Sequence, residues 1–268
     1  MIDIFKQQIN QAMPVEAKSN RVRELLQIII LKIIYDRGFF NNLAFTGGTA
    51  LRVLFDIKRF SEDLDFSLVD KKGYNFSDIN SALIRNLKLY GLNAEIKPKT
   101  KSNVHSTMIK FPGLLKSLGI SKLESQKISV KFEVDSNPPK GGNISNTLIN
   151  KIYLFNLVHF DLSSMFATKL HACFYRKFTK GRDFYDFLWY LGKKIKPNYF
   201  LFNNAVIQSE NKDPGVNEGN FKEYLLENIR KIDFDLVKKD VERFLDDKNE
   251  LKLLNLKLIQ STIESLYL

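Results

Sequence analysis

Cysteine is almost absent from this sequence. The single one, Cys173, excludes an internal disulfide framework and a cysteine-rich zinc site. Histidine is nearly as scarce: His105, His159 and His171 have no metal-ligand spacing, and structural or surface roles suit each of them. Long hydrophobic runs are missing too. The N-terminal MIDIFKQQINQAMP lacks the uninterrupted apolar core of a signal peptide. The most apolar stretch, Leu25 to Tyr35, is broken by Gln27 and Lys32 and is too short to span a bilayer. Neither secretion nor a membrane-bound state is expected, and a cytoplasmic location is. The two common phosphate-binding fingerprints are also lacking. Gly47-Gly48 is followed neither by the Lys-Ser/Thr ending of a P-loop nor by the third glycine of a dinucleotide fold.

What is present is an ordinary globular chain. Its 268 residues, 44% hydrophobic and 26% charged, suffice for one large domain or two modest ones. Net charge is +11, and it is unevenly distributed. Arg85 to Lys131 carries +8 and Lys140 to Phe200 carries +7, whereas residues 201–268 carry −3. A basic middle of this kind points to an anionic partner, a nucleotide or a nucleic acid, although solvated lysines on an ordinary surface would give the same count.

The hydrophobic pattern predicts a buried helix over residues 21–35, ended by Gly38. A short apolar run, Leu43 to Thr46, then leads through Gly47-Gly48 into TALRVLF, whose spacing buries Ala50, Leu51, Leu54 and Phe55 on one side of a helix. Residues 62–68 (EDLDFSL) alternate as a half-buried strand, with Asp63 and Asp65 on the polar face. A helix is expected around residues 77–90. KISVKFEVD, residues 127–135, alternates again, with Ser129, Lys131, Glu133 and Asp135 on its polar face. SNPPKGGN then makes a firm turn and a candidate domain boundary. Beyond residue 160 the pattern is mainly helical, interrupted by a loop at residues 209–220. The expected class is α+β.

Three features carry chemistry. Gly47 and Gly48 let backbone approach a ligand closely, and the following helix offers free N–H groups to an anion; a tight structural turn would look the same. Asp63 and Asp65, two apart on a strand, project from one face and can converge on a hard cation, although a solvent-facing acidic pair has the same spacing. Glu133 or Asp135 on the second strand can add a third carboxylate. Three acids gathered together repel one another, so a divalent ion is the natural neutraliser. Further on, Lys169 has Met165, Phe166, Ala172 and Cys173 as its helical neighbours. It must snorkel, pair with an acid or meet a phosphate, and Arg176 follows on the same stripe. Arg182 and Asp186 have the spacing of a helix-surface ion pair, and Asp183 that of a first-turn acid. Trp189 and Tyr190 are expected to pack in the core, the alternative being to stack on a base.

At this point the sequence resembles a known family. FTGGTALRVLFDIKRFSEDLDFSL is similar to the G-[GS]…D-x-D signature of the DNA polymerase β-like nucleotidyltransferases. More narrowly it resembles the AbiEii/AbiGii toxins, with GGTAL at Gly47 to Leu51 and R-x-S-E-D-[IL]-D at Arg59 to Asp65. The 14 residues between Gly48 and Asp63 exceed the usual superfamily gap and suit this subfamily. VKFEVD is similar to the strand that supplies the third acid, which favours Glu133. ATKLHACFYRKFTKGRDFYDFLWYL is similar to the K-L-x-A…R…R-D-x-x-D segment of the family.

The resemblance implies a polymerase β-like core with a mixed sheet near residues 1–150 and a helical domain over residues 151–268 that contributes to nucleotide and acceptor binding. It implies that Gly47, Gly48, Thr49, Arg59, Ser61, Lys169 and Arg176 bind the nucleotide, and that Asp63, Asp65 and Glu133 hold Mg²⁺ or Mn²⁺. Lys169 would offset phosphate charge, and Asp186 would orient Lys169 or the acceptor. The implied reaction moves a nucleoside monophosphate from an NTP to an acceptor hydroxyl, at the 3′ end of tRNA. The protein would be the toxin of a toxin–antitoxin or abortive-infection system, with a cognate antitoxin as partner. A protein or small-molecule acceptor, a kinase-like transfer of γ-phosphate and a non-catalytic RNA-binding module are the alternatives.

Overall fold

In a computed structural model, which describes residues 1–10, 12–101 and 103–267, the chain opens with helices α1 (Ile2–Gln8) and α2 (Val15–Asp36). The second helix begins at Val15 rather than at Arg21. Pro14 sits at its N-cap, where a missing N–H costs nothing, and no glycine or proline interrupts the segment that follows. It ends as expected, with Gly38 at φ +70°. Strand β1 (Leu43–Thr46) then runs directly into α3 (Gly47–Phe55). Next come β2 (Asp63–Leu68), α4 (Phe76–Leu89), β3 (Glu95–Lys101), β4 (Val104–Phe111), the single turn α5 (Leu114–Ser117) and β5 (Ile128–Asp135). The strands β6 (Ile144–Asn150) and β7 (Leu154–Phe160) complete one seven-stranded sheet of order β3-β4-β5-β2-β1-β7-β6.

The sheet is mixed. β2 runs parallel to β5 and β1 parallel to β7, whereas β1–β2, β3–β4 and β4–β5 are antiparallel. Alternation gives it two chemically distinct faces. Leu64, Phe66, Ile109, Val130, Phe132 and Val134 are buried on one of them. Helix α4 lies against that face: Phe76 stands 6.4 Å from Phe132, and the Thr107 hydroxyl donates to Asn80 Oδ1 at 2.5 Å. Helix α2 packs on β5 and α4, where the Arg23 guanidinium reaches the Ser129 carbonyl. The opposite face carries Asp63, Asp65, Lys131 and Glu133 at half-exposed positions.

Two compact units divide the chain. One comprises Met1–Ala50, Phe60–Asn137 and Asn146–His159; the other comprises Leu51–Arg59, Pro138–Ser145 and Phe160–Leu268. The second unit holds α6 (Leu162–Tyr175), α7 (Gly181–Gly192), α8 (Tyr199–Glu210), α9 (Phe221–Ile229), α10 (Phe234–Val241) and α11 (Leu256–Leu266), with 3₁₀ turns at Glu242–Phe244 and Lys248–Leu253. Its aromatic core includes Tyr190, stacked on Phe166 at 4.5 Å, and Trp189, edge-on to Tyr190 at 5.2 Å. Both residues of the Trp-Tyr pair are packing residues. No helix among the described residues is long and apolar enough to cross a membrane.

Gly181 decides how closely α7 and α10 approach. A Cβ there would lie 2.1 Å from the Val237 carbonyl oxygen and 2.9 Å from the Val241 nitrogen, both of them backbone atoms that cannot swing aside. Gly192, at the other end of the same helix, has nothing within 4 Å of such a Cβ. Gly181→Ala is therefore expected to lower the free energy of unfolding by about 1–3 kcal/mol, the usual range for overpacking. Gly192→Ala should change it by less than about 1 kcal/mol. Urea midpoints of the two variants measured side by side check the contrast.

Candidate active site

Strand register brings two of the three expected acids side by side. In the parallel β2–β5 pair Asp65 is directly opposite Glu133, Asp63 is opposite Lys131, and Ser67 is opposite Asp135. Glu133, and not Asp135, is thus the immediate neighbour of Asp65. Its carboxylate meets Lys131 Nζ at 2.7 Å. Asp135 turns to the backbone instead, accepting from the Asn137 N–H at 3.0 Å, and burial pushes its carboxyl above the usual range.

The glycine turn abuts the same acids. Gly47 has φ +79°, a left-handed conformation, and a Cβ there would fall 2.5 Å from Asp65 Oδ2. Position 47 therefore demands glycine twice, once for the turn and once for the carboxylate. Thr46, opposite Asp65 on β1, has a buried hydroxyl with no hydrogen-bond partner among the described residues. Thr49 is fully buried, and its hydroxyl donates to the Asp63 carbonyl, tying the first turn of α3 to β2. Ser61 is held from the other side, its carbonyl accepting from Gln27 Nε2 at 3.0 Å. Gln27 was visible in the sequence only as an interruption of an apolar helix. Its partner is a backbone group of the loop that leads into β2.

The donor set is one of hard oxygens, carboxylates and an orphan hydroxyl, which suits Mg²⁺ or Mn²⁺. Among the described residues, no three His, Cys, Asp or Glu side chains are grouped so as to cage a metal by themselves. Mg²⁺ is ordinarily held by one or two carboxylates together with substrate phosphates, and Asp63 and Asp65 fit that arrangement.

The second unit contains a separate cluster. Lys169 on α6 meets Asp183 Oδ1 at 2.6 Å and Asp186 Oδ2 at 2.8 Å, both acids on α7. The two acids lie three apart on a helix and so face the same way. Arg59 grips Asp186 with two parallel bonds, Nε to Oδ1 and Nη2 to Oδ2, each 2.5 Å. Arg176 closes the other end on Asp183. Arg59 is 1% exposed, Asp186 0%, Asp183 5% and Lys169 8%, so Asp186 is a buried partner of Arg59 and Lys169 rather than a surface acid of its helix. The Arg182 guanidinium lies over the Phe244 ring at 4.1 Å. Arg59, expected at the nucleotide, has its fork engaged by Asp186 and is clasped by a backbone bridge to Leu245.

Burial alone disfavours the charged forms of Asp183, Lys169 and Arg59, but each of these three is held charged by its partners. Burial pushes the Asp183 carboxyl up; the charges of Lys169 and Arg176 outweigh it and hold the group below the usual carboxylate range. Burial likewise pulls Lys169 and Arg59 down, and the neighbouring aspartates reverse both shifts. The three histidines are engaged elsewhere: His105 with the Tyr74 hydroxyl, His159 with Thr147 and His171 with Ser209, each at 2.9 Å.

A family model, the nucleotidyl transferase AbiEii toxin of type IV toxin–antitoxin systems, matches residues 29–257. The chain belongs to the AbiEii nucleotidyltransferase toxin family. The match spans the glycine turn, both acid-bearing strands and the Lys169–Asp183–Asp186 cluster. Among solved structures, JHP933 from Helicobacter pylori is similar with a TM-score of 0.55 and 20% identity over 92% of this chain and 91% of that one. A candidate nucleotidyltransferase from H. pylori gives 0.52 and 21% over 91% and 96%. At these identities the likeness shows the fold. A comparison with curated proteins finds no match. The α+β core and the nucleotidyltransferase assignment thus stand for this AbiEii member. The family also brings an antitoxin partner and an NTP substrate.

The AbiEii cluster around Asp183 has a testable pH signature. A carboxyl held below its ordinary 3.8 stabilises the fold fully above that value, and this contribution fades as pH falls through the lower folded value. Asp183→Asn should cost about 3–5 kcal/mol at neutral pH, as breaking a buried pair does. The gap between wild type and variant should narrow steadily as pH is lowered from about 5 toward 2. Denaturant melts across that range check this; a gap independent of pH would contradict the assignment.

Proposed function

We propose that the chain transfers a nucleoside monophosphate from an NTP to the 3′-terminal hydroxyl of tRNA, and thereby acts as the growth-inhibiting toxin of its system. The observation that carries this reading is the pairing of Asp65 with Glu133, with Asp63 on the same face and Gly47 packed against the Asp65 carboxylate. In this reading Asp63 and Asp65 hold Mg²⁺ or Mn²⁺, and Glu133 joins them. The ion, when bound, screens the triphosphate and polarises the α-phosphate. Backbone at Gly47 and Gly48 cradles phosphate oxygens at the start of α3, and the Thr46 hydroxyl is a free donor beside Asp65. Glu133 takes the proton of the acceptor hydroxyl. The hydroxyl oxygen bonds to the α-phosphorus, the bond to the β-phosphate bridge oxygen breaks, and pyrophosphate leaves.

Thr49 and Ser61 serve this site by fixing the backbone around it, through the Asp63 carbonyl and Gln27 respectively. Lys169 and Arg176 are the proposed cations that offset triphosphate charge. Two acids lie among three cations in their cluster, which leaves it with one surplus positive charge. Asp186 orients Lys169, and Arg59 orients Asp186. The catalytic core is assigned to residues 1–150 and the helical part, over residues 151–268, to nucleotide and acceptor binding. A basic chain of net charge +11 suits an RNA acceptor better than a small molecule.

The test is incubation with total tRNA, Mg²⁺ and each α-labelled NTP in turn. Label should appear on tRNA, and Asp63→Ala or Asp65→Ala should reduce it by at least about 10²-fold, the scale on which removal of one charge-stabilising group acts. Asp63-dependent label on a protein or small molecule would keep the chemistry and remove the RNA acceptor. Transfer of γ-label alone would replace the reading with a kinase-like one.

A further inference from the structure

The sheet face that bears Asp63, Asp65 and Glu133 changes sign along its hydrogen-bonding direction. One row in register runs Thr46, Asp65, Glu133, Ser106, Lys99, from β1 to the edge strand β3. Beside it runs Asp63, Lys131, Met108, Lys97, and next to that Ser129, Lys110, Glu95. Directly opposed residues in a sheet share a face, so Lys97, Lys99, Lys110 and Lys131 all stand on the acid-bearing side. With strands ~4.8 Å apart, Lys99 lies about 14 Å from Asp65 along its row. Lys97 and Lys99 are exposed, and Lys110 and Lys131 are half-exposed.

Protection of the sheet edge explains only part of this. Lysine and proline on an edge strand discourage pairing with other chains, and β3 has both in Lys97-Pro98-Lys99. Lys110 and Lys131 sit on the interior strands β4 and β5, where there is no edge to protect. Local pairing cancels part of this charge: Lys131 meets Glu133 at 2.7 Å, and Glu95 is taken by Lys127 at 2.8 Å, with Lys97 and Lys110 also close enough to act on it. Among the described residues Lys97, Lys99 and Lys110 are in no ion pair. The face therefore joins a patch of acids at its centre to an excess of lysine that extends toward its edge. A substrate that meets the acids through a terminal hydroxyl and continues outward as a polyanion finds cations along its length. A small molecule would end before reaching them.

We propose that this face, from β5 across β4 to β3, is the track for the single-stranded end of an RNA acceptor, with phosphates on Lys110, Lys97 and Lys99 and the terminal hydroxyl at the acids. The position of the hydroxyl rests on the nucleotidyl-transfer reading; the phosphate contacts do not. A free single-stranded end is required because only an end presents a terminal hydroxyl. Recognition through phosphates is salt-dependent and largely indifferent to base sequence.

Fluorescence anisotropy with a short labelled single-stranded RNA tests this on three proteins: wild type, Lys97→Glu/Lys99→Glu, and Lys71→Glu/Lys72→Glu. The last pair is exposed in the loop after β2, away from the acid-bearing end of that strand, and makes the same change in net charge. The β3 variant should bind at least about tenfold more weakly at low salt and flatten the plot of log affinity against log salt by about 1.4, two contacts at ~0.7 each. The control pair should bind like wild type. In the labelling assay the β3 variant should raise KM for RNA and leave KM for the NTP unchanged. No RNA binding by wild type, an unchanged affinity and slope, or equal weakening by both pairs would overturn the proposal. Failure of the nucleotidyl-transfer reading looks different: RNA bound through Lys97 and Lys99, with no Asp63-dependent α-label, upholds the track and removes the chemistry.

Discussion

The parallel pairing of β2 with β5 is the constraint on which the candidate site depends. Its register sets Asp65 against Glu133. A slip of one residue would turn every side chain of a strand to the other face, carrying Phe66 and Phe132 out of the core and the acids into it. The register is therefore enforced by apolar burial, with Phe66 and Phe132 at a ring separation of 4.7 Å, and the polar face inherits its arrangement from the core. Thr49 and Gln27 reinforce this from the flanking segments, because each binds a backbone carbonyl at the entry to β2.

Gly47 links the turn to that register. Its left-handed φ lets β1 pass into α3 without a connecting loop, and its missing Cβ admits the Asp65 carboxylate. One residue thus serves two demands that no other residue type meets together. The unpartnered Thr46 hydroxyl on the neighbouring strand fits the same picture: a buried polar atom left unsatisfied marks a place where a ligand can complete the bonding.

The cluster in the helical unit follows a different physical logic. Arg59, Lys169 and both carboxylates are buried, with Arg176 at the exposed end, and buried charges of this kind gain little net stability over an apolar core because desolvation offsets their attraction. They do fix geometry. The bidentate grip of Arg59 on Asp186 and the sharing of Lys169 between two acids leave each side chain one orientation. The sequence segment Leu51–Arg59 belongs to this unit, and its last residue is the one that grips Asp186.

The amino-acid sequence by itself determined the elements whose pattern is local: the apolar helix ended by Gly38, the glycine turn into α3, the two alternating strands and the helical second half. It determined the family too, since GGTAL, the D-x-D strand, the FEVD strand and R-D-x-x-D recur in order. Tertiary structure alone decided the rest. Strands β3 and β6 are lysine-rich and polar edge strands whose weak alternation becomes a strand only by pairing with a neighbour. Glu133 was separated from Asp135 on residue pattern only by resemblance, because both share a face; the pairing register separates them physically. Arg59 and Asp186 are 127 residues apart, and no periodicity within either segment encodes their contact. Local spacing fixes which way a side chain points along its own element, and only the packing of elements fixes what it meets there.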